Sequence, residues 1–344
     1  MRVGILTFHD ADNYGALLQA YALQQTLKKL GMENEFVAIE REQKKTLSPS
    51  NGPMAVFMKR VAEAGEKRKQ LFELFRTDCL EISPLYRREE AELLNNRYQW
   101  FLVGSDQVWN FKIPDVDPRY FLPFAAKEKK YSYAASFGSS ELPEKVAPWC
   151  SEQLKTFQRI SVREESGRNL VKTLTGMDAK VHADPTLLLE RTDWEEISEE
   201  REGNYVLLFL LVYDEQAVRR AKEIASEKSL ELKTVTAAFL PQLGIEAWCN
   251  TGVQEWITLV RNAQFVITNS FHGMVFSILF EREFEVIPLK GELSARNGRI
   301  EELLNKTGLA ASRDYVKAKQ VIEQMRKEAF SYLVEVGKEN GIVQ

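Results

Sequence analysis

The sequence predicts an α/β chain of two doubly wound, parallel-sheet domains facing a cleft. Three observations predict it. The chain opens as strand, helix, strand. A second series of the same kind starts near residue 205. Within that series, residues 265–280 read as a short buried strand, a sharp polar turn and an apolar helix. Parallel strands need crossover connections, and alternating strands and helices provide them. At 344 residues the chain is long enough for two domains, and its 44% hydrophobic and 28% charged content is ordinary for a globular protein.

The elements follow in order. Residues 3–8 are an apolar strand and 9–14 a polar turn. Residues 15–30 are a helix, with Leu17, Leu18, Tyr21, Leu23, Leu27 and Leu30 near a 3.6-residue period, and Gly31 ends it. Residues 35–39 are the next strand, and 41–53, with Ser, Pro, Asn and Gly, a loop. Residues 54–77 form a long helix or helix pair with a charged middle; its apolar ends suit packing on the domain better than lying on a membrane. Strands are expected at 98–103, 130–137, 159–163 and 179–183, the last two flanking a helix. The acidic, polar run 191–203 marks a boundary, which gives an N-terminal domain over 1–195 and a C-terminal domain over 196–344. In the second, 205–213 is a near-continuous apolar strand, as expected where both faces are covered. Helices at 215–228 and 253–262 alternate with strands at 232–236, 265–268 and 284–288. A last helix, 315–341, has no partner that the sequence identifies.

Composition excludes several function classes. The net charge of −4 gives no global basic character for nucleic acid. Cys79, Cys150 and Cys249 are far apart and odd in number, with no disulfide framework, which suits a reducing, cytoplasmic setting. The N-terminus lacks a signal-peptide pattern, and no run approaches the roughly 20 apolar residues of a membrane span. No phosphate-loop or dinucleotide glycine pattern follows the first strand.

The candidate chemistry centres on the turn after residue 268. A helix opening with Asn269, Ser270 and Gly273 presents backbone N–H groups to an anion, and His272, one of three histidines, sits in its first turn. The plainer reading is helix capping by Ser270 or Asn269. Gly273 beside a histidine in a first helical turn is hard to justify on propensity alone. Ligands of open α/β sheets bind beyond the strands' carboxyl ends, so the first turn, with Asn13 and Tyr14, offers an opposite wall. After the 98–103 strand, Asp106 can act as a base and Trp109 can stack on a sugar ring, or the segment is only a turn over a buried Trp. Arg163 ends a strand, where it can bind a carboxylate or phosphate or pair with Glu164 or Glu165. Lys290, Arg296 and Arg299 follow the last strand and can add cationic character. His182 and Asp184 have no third ligand nearby, so no metal site is expected.

The ordered motifs Asn13-Tyr14-Gly15-Ala16, Val103-Gly104-Ser105-Asp106-Gln107-Val108-Trp109-Asn110, Ile160-Ser161-Val162-Arg163-Glu164, Asp184-Pro185-Thr186 and Thr268-Asn269-Ser270-Phe271-His272-Gly273 resemble the polysaccharide pyruvyl transferase family. His182, where an apolar residue would suit a buried strand, departs from the pattern. The resemblance implies two Rossmann-like domains of GT-B-like arrangement, with the acceptor on the N-terminal side and phosphoenolpyruvate on the C-terminal side. It implies transfer of the carboxyvinyl unit of phosphoenolpyruvate to a sugar diol as a cyclic ketal, with release of phosphate and no cofactor or metal. Arg163 and His272 match the family's arginine and histidine, and Lys290 is a weaker match to a later lysine. The acceptor would be a saccharide of a surface polysaccharide or its precursor; a lipid-linked one would bring the chain to a membrane surface. A nucleotide-sugar glycosyltransferase and a non-catalytic sugar- or anion-binding protein are the alternatives.

Overall fold

The computed structural model describes residues 2–40, 53–113 and 117–341, so the loop expected over 41–53 lies outside the described residues except for its last position. Strands β1 (Val3–Leu6), β2 (Asn34–Phe36), β3 (Trp100–Val103) and β4 (Lys130–Ser132) form a parallel sheet in the order β2-β1-β3-β4. Val3 stands opposite Asn34 on one side and Trp100 on the other. The short parallel pair β5 (Ser161–Val162) and β6 (Lys180–Val181) extends this sheet through single bridges, Tyr131 to Arg159 and Ala135 to Val162. A second parallel sheet holds β7 (Tyr205–Leu210), β8 (Glu231–Thr236), β9 (Phe265–Thr268) and β10 (Glu283–Val286) in the order β10-β9-β7-β8. The two Rossmann-like halves expected from the sequence are therefore present, each with parallel strands joined by helices.

Side-chain alternation along the strands explains how the layers stack. Val3 and Ile5 of β1 point into a core that also contains Leu207 and Phe209 of β7. Leu6 with Phe101 and Val103 covers the other face of the first sheet, and Val206, Leu208 and Leu210 cover the other face of the second. The largest core thus passes through both halves. Its centre is the helix Tyr14–Lys29, which is buried on most sides because it lies against the helix Val253–Asn262 of the second half.

Some expected strands are shorter than their apolar runs. The strand expected over 130–137 ends at Ser132, because Ala134 adopts φ 45, outside the extended region a ladder requires. The 54–77 segment is one helix, Pro53–Cys79. Its Phe72 and Phe75 enter the core while Phe57, Met58 and Leu74 stay exposed. The last helix, Tyr315–Glu339, finds its partners in both halves. It packs on the helix Gly298–Thr307 and returns to the first sheet, where Tyr332 Oη donates to Ser132 O at 2.8 Å and Arg159 pairs with Glu335 at 2.6 Å. Among the described residues, no helix is long and apolar enough to cross a membrane.

Candidate active site

The strand β9 delivers the chain into the helix Phe271–Leu279. Ser270 caps it: its Oγ accepts from Gly273 N at 3.3 Å, and its own N–H donates to Thr268 Oγ1 at 3.0 Å. The glycine that propensity could not explain now has a reason. A Cβ on Gly273 would stand 2.5 Å from Thr268 Oγ1 and 3.1 Å from the Phe209 ring, so only glycine lets the helix start lie down on β9 and β7. Gly15 plays the matching part across the cleft, since a Cβ there would come within 2.0 Å of His272 Nδ1. The imidazole is thus clamped between its own helix and the first turn of the Tyr14–Lys29 helix. The N–H groups of Phe271 and His272 lie in the first turn, where a helix offers no acceptor of its own.

Beneath His272 lies a charged floor that comes mostly from the first half. His272 Nε2 stands 3.7 Å from Asp184 Oδ2, too far for a hydrogen bond, and has no other partner among the described residues. Asp184 is shielded from solvent; its Oδ1 accepts from Thr186 N at 3.0 Å and Thr186 Oγ1 at 2.7 Å. Burial alone would raise its carboxyl, but His272, Arg163 and Thr186 outweigh burial and hold it well below the usual carboxylate range. Arg163, only 3% exposed in its side chain, meets three carboxylates: Glu164 at 2.9 Å, Asp184 at 2.9 Å and Asp106 at 3.8 Å. Burial works to lower its pKa, yet these neighbours keep the guanidinium firmly charged.

A cleft of about 350 Å³ opens between the halves, lined from one side by Asn13, Gly15 and Asp106 and from the other by Ser270, His272 and Arg299. The remaining expected residues are placed as follows. Asn13 caps the Tyr14–Lys29 helix through Ala16 N at 3.2 Å while facing the cleft. Asp106 sits on the cleft wall with φ 68, an uncommon conformation for a side chain other than glycine. Asn269 ties two strand ends together: its Oδ1 accepts from Leu211 N and its Nδ2 donates to Val212 O, both at 2.8 Å. Tyr14 is buried between Phe72, Phe209 and Trp256, and its Oη donates to Thr251 O. Trp109 is wholly enclosed, with Nε1 donating to Tyr120 O, so it does not reach the cleft. Lys290 is exposed and pairs with Asp214 at 3.3 Å, away from His272. Arg296 and Arg299 do line the cleft. The sequence reading named Asp184 as a poor metal candidate and as part of the Asp184-Pro185-Thr186 motif, and nothing local reveals that it meets His272.

Two further polar groups complete the picture. His182 Nδ1 lies 2.8 Å from Ser161 Oγ, and its ring packs between Tyr133 and Tyr332, so its place at a strand end is a packed one. Burial pushes its pKa down to about 4. Among the described residues, no group of three or more His, Cys, Asp or Glu is placed to hold a metal ion, and the three cysteines are unpaired.

A family model described as polysaccharide pyruvyl transferase matches residues 13–288. The chain belongs to the polysaccharide pyruvyl transferase family. The span that defines this pyruvyl transferase membership includes Asn13, Asp106, Arg163, Asp184 and His272 and stops short of Arg296 and Arg299. No curated protein matches the sequence. Solved structures with a similar trace include a Methanocaldococcus jannaschii UDP-GlcNAc 2-epimerase with UDP-GlcNAc and UDP, at 12% identity and TM-score 0.47, covering 98% of this chain and 99% of that one. A Streptomyces sp. SF2575 glycosyltransferase, SsfS6, gives 14% and 0.43 with 97% and 99% covered. The E. coli heptosyltransferase WaaC gives 13% and 0.38 with 89% and 99% covered. These likenesses are distant and bear on no residue of the site.

Proposed function

We propose that this family member transfers the carboxyvinyl unit of phosphoenolpyruvate to two hydroxyls of a saccharide, giving a cyclic pyruvate ketal and phosphate. The observation that carries this reading is His272: a clamped imidazole with an unpartnered Nε2, set over a buried carboxylate at the start of a helix, in a cleft both halves line. The reaction needs a proton on the methylene carbon of the donor, a place for a leaving phosphate and acceptance of two hydroxyl protons. His272 supplies the proton. Protonation makes the neighbouring carbon electrophilic, one sugar hydroxyl adds to it, and the second displaces phosphate. The methyl of the ketal keeps one added proton and phosphate leaves with the other, so the hydroxyl protons balance the products.

Asp184, 3.7 Å from His272 Nε2, is the buried carboxylate toward which the imidazole turns. The helix start favours the negative charge that gathers on the departing phosphate. Asp106, which lines the opposite wall, accepts a proton from the sugar in this reading. No cofactor or metal is assigned a step. The acceptor belongs to a surface polysaccharide or its precursor, met on the cytoplasmic side of the membrane, lipid-linked or polymeric.

Release of phosphate from phosphoenolpyruvate across a panel of saccharide acceptors, with the product confirmed by mass, tests the reading. His272→Ala should lower turnover by about 10²–10⁴-fold while the variant stays folded. Tight binding of a nucleotide sugar with no response to phosphoenolpyruvate would replace this reading with a glycosyltransferase.

A further inference from the structure

The charged groups around the cleft are unequally matched. Arg163 is the most buried of its arginines, and Glu164, Asp184 and Asp106 meet its charge, although its Nη2 has no hydrogen-bond partner among the described residues. Arg299 is the reverse. It lies in the first turn of the helix Gly298–Thr307, its Nε is closed off from solvent, and no carboxylate or carbonyl among the described residues partners it. Its closest organised contact is the face of Phe271, 5.2 Å from the guanidinium carbon, next to His272. Arg163 rests 5.5 Å from the same ring, so the two guanidiniums share one aromatic support. Burial, and then the charge of Arg163, push Arg299 down to about 10. Arg296 lines the same cleft, also without an ion pair to a described residue. A half-buried guanidinium with no hydrogen bond or ion pair of its own among the described residues keeps donors free for an arriving anion.

A second hollow continues the cleft past these residues. Gln107, Arg296 and Arg299 line both, and the outer one adds Ser139, Ser140 and Ser166. An anion held at Arg299 therefore has His272 on one side and a hydroxyl- and amide-lined groove, suited to a sugar, on the other.

We propose that Arg299, with Arg296 beside it, is the anion grip of this cleft and takes the phosphate or carboxylate of the donor, whereas Arg163 is a positioning residue that holds Asp184 toward His272. This rests on the proposed reaction for the identity of the donor, but the grip itself is a property of the free protein. Neither arginine falls inside the span that defines the family, so the grip belongs to the segment after the last strand.

Calorimetric titration of the full chain with phosphoenolpyruvate and, separately, with inorganic phosphate tests it. Arg299→Gln should weaken both by about ten- to hundredfold, Arg299→Lys less, and Arg296→Gln less than Arg299→Gln. Thermal melts of the unliganded proteins give the second readout: Arg299→Gln should melt no lower than the parent, because no hydrogen bond or ion pair to a described residue is lost with it, whereas a merely structural arginine would lower the melt. Unchanged affinity for both anions in a folded Arg299→Gln overturns the grip even where the parent forms ketal. Phosphate binding that depends on Arg299, in a parent that forms no ketal, upholds the grip and sinks the proposed reaction instead.

Discussion

At the residue scale, the chemistry depends on partners far apart in sequence. His272 was legible because its neighbours in sequence make the motif: strand, Asn269, Ser270, helix. Asp184 was not, because its value lies in a contact with His272 that only the packing of the two halves creates. Lys290 drew attention through its charge and a weak match to a later lysine of the family, and neither tells an exposed lysine on Asp214 from a cleft arginine such as Arg299. His182 supplies a pH prediction. Its folded pKa of about 4 lies below the ordinary 6.5, so the native state resists its protonation. The stability it contributes is complete above pH 6.5 and is lost as pH falls through that value toward 4, on the order of 3 kcal/mol in all. Urea unfolding at pH 7 and pH 4.5 should show a smaller acid loss for His182→Phe than for the parent; equal losses would contradict the assignment.

At the scale of elements, the strand–turn–helix at β9 was read correctly because every determinant is local, down to the Ser270 cap. The strand after residue 130 was overread, since an apolar run cannot reveal that Ala134 takes a left-handed conformation and ends the ladder. The helix Gly298–Thr307, which carries Arg299, was not anticipated: only Ile300 and Leu303 of its short span are large buried apolar residues. The close contact of Gly273 with Thr268 and Phe209 gives a direct expectation. Gly273→Ala should cost about 1–3 kcal/mol in denaturant unfolding and should lower turnover further than stability explains, because lifting the helix moves His272. A variant with parental stability and activity would show that the helix start tolerates the displacement.

At the scale of the molecule, the two halves share a core rather than meeting only at a hinge. Arg68, on the Pro53–Cys79 helix, stitches them: it donates to Trp248 O at 2.7 Å and Ala237 O at 3.1 Å in the second half, and to Asp12 O at 3.1 Å and Tyr14 Oη at 3.3 Å in the first. The sequence announced two α/β halves through their separate strand series, but Arg68 sits in the charged middle of its helix, where nothing local names its partners. Its role appears only once the helix has packed across the junction. Arg68→Ala should destabilise the protein by about 3 kcal/mol, through carbonyls left without a donor, and should keep a single unfolding transition because the apolar core still joins the halves. Two separate calorimetric transitions in the parent would contradict a shared core.

The central claim is that one cleft receives phosphoenolpyruvate between His272 and Arg299. A crystal structure of the protein with phosphoenolpyruvate, or an unreactive analogue, measures it most directly. The account predicts an anionic group against the Arg299 guanidinium and the first turn of the Phe271–Leu279 helix, with the methylene carbon toward His272 Nε2. Phosphoenolpyruvate bound outside that cleft, or turned so that its methylene carbon faces away from His272, would contradict it.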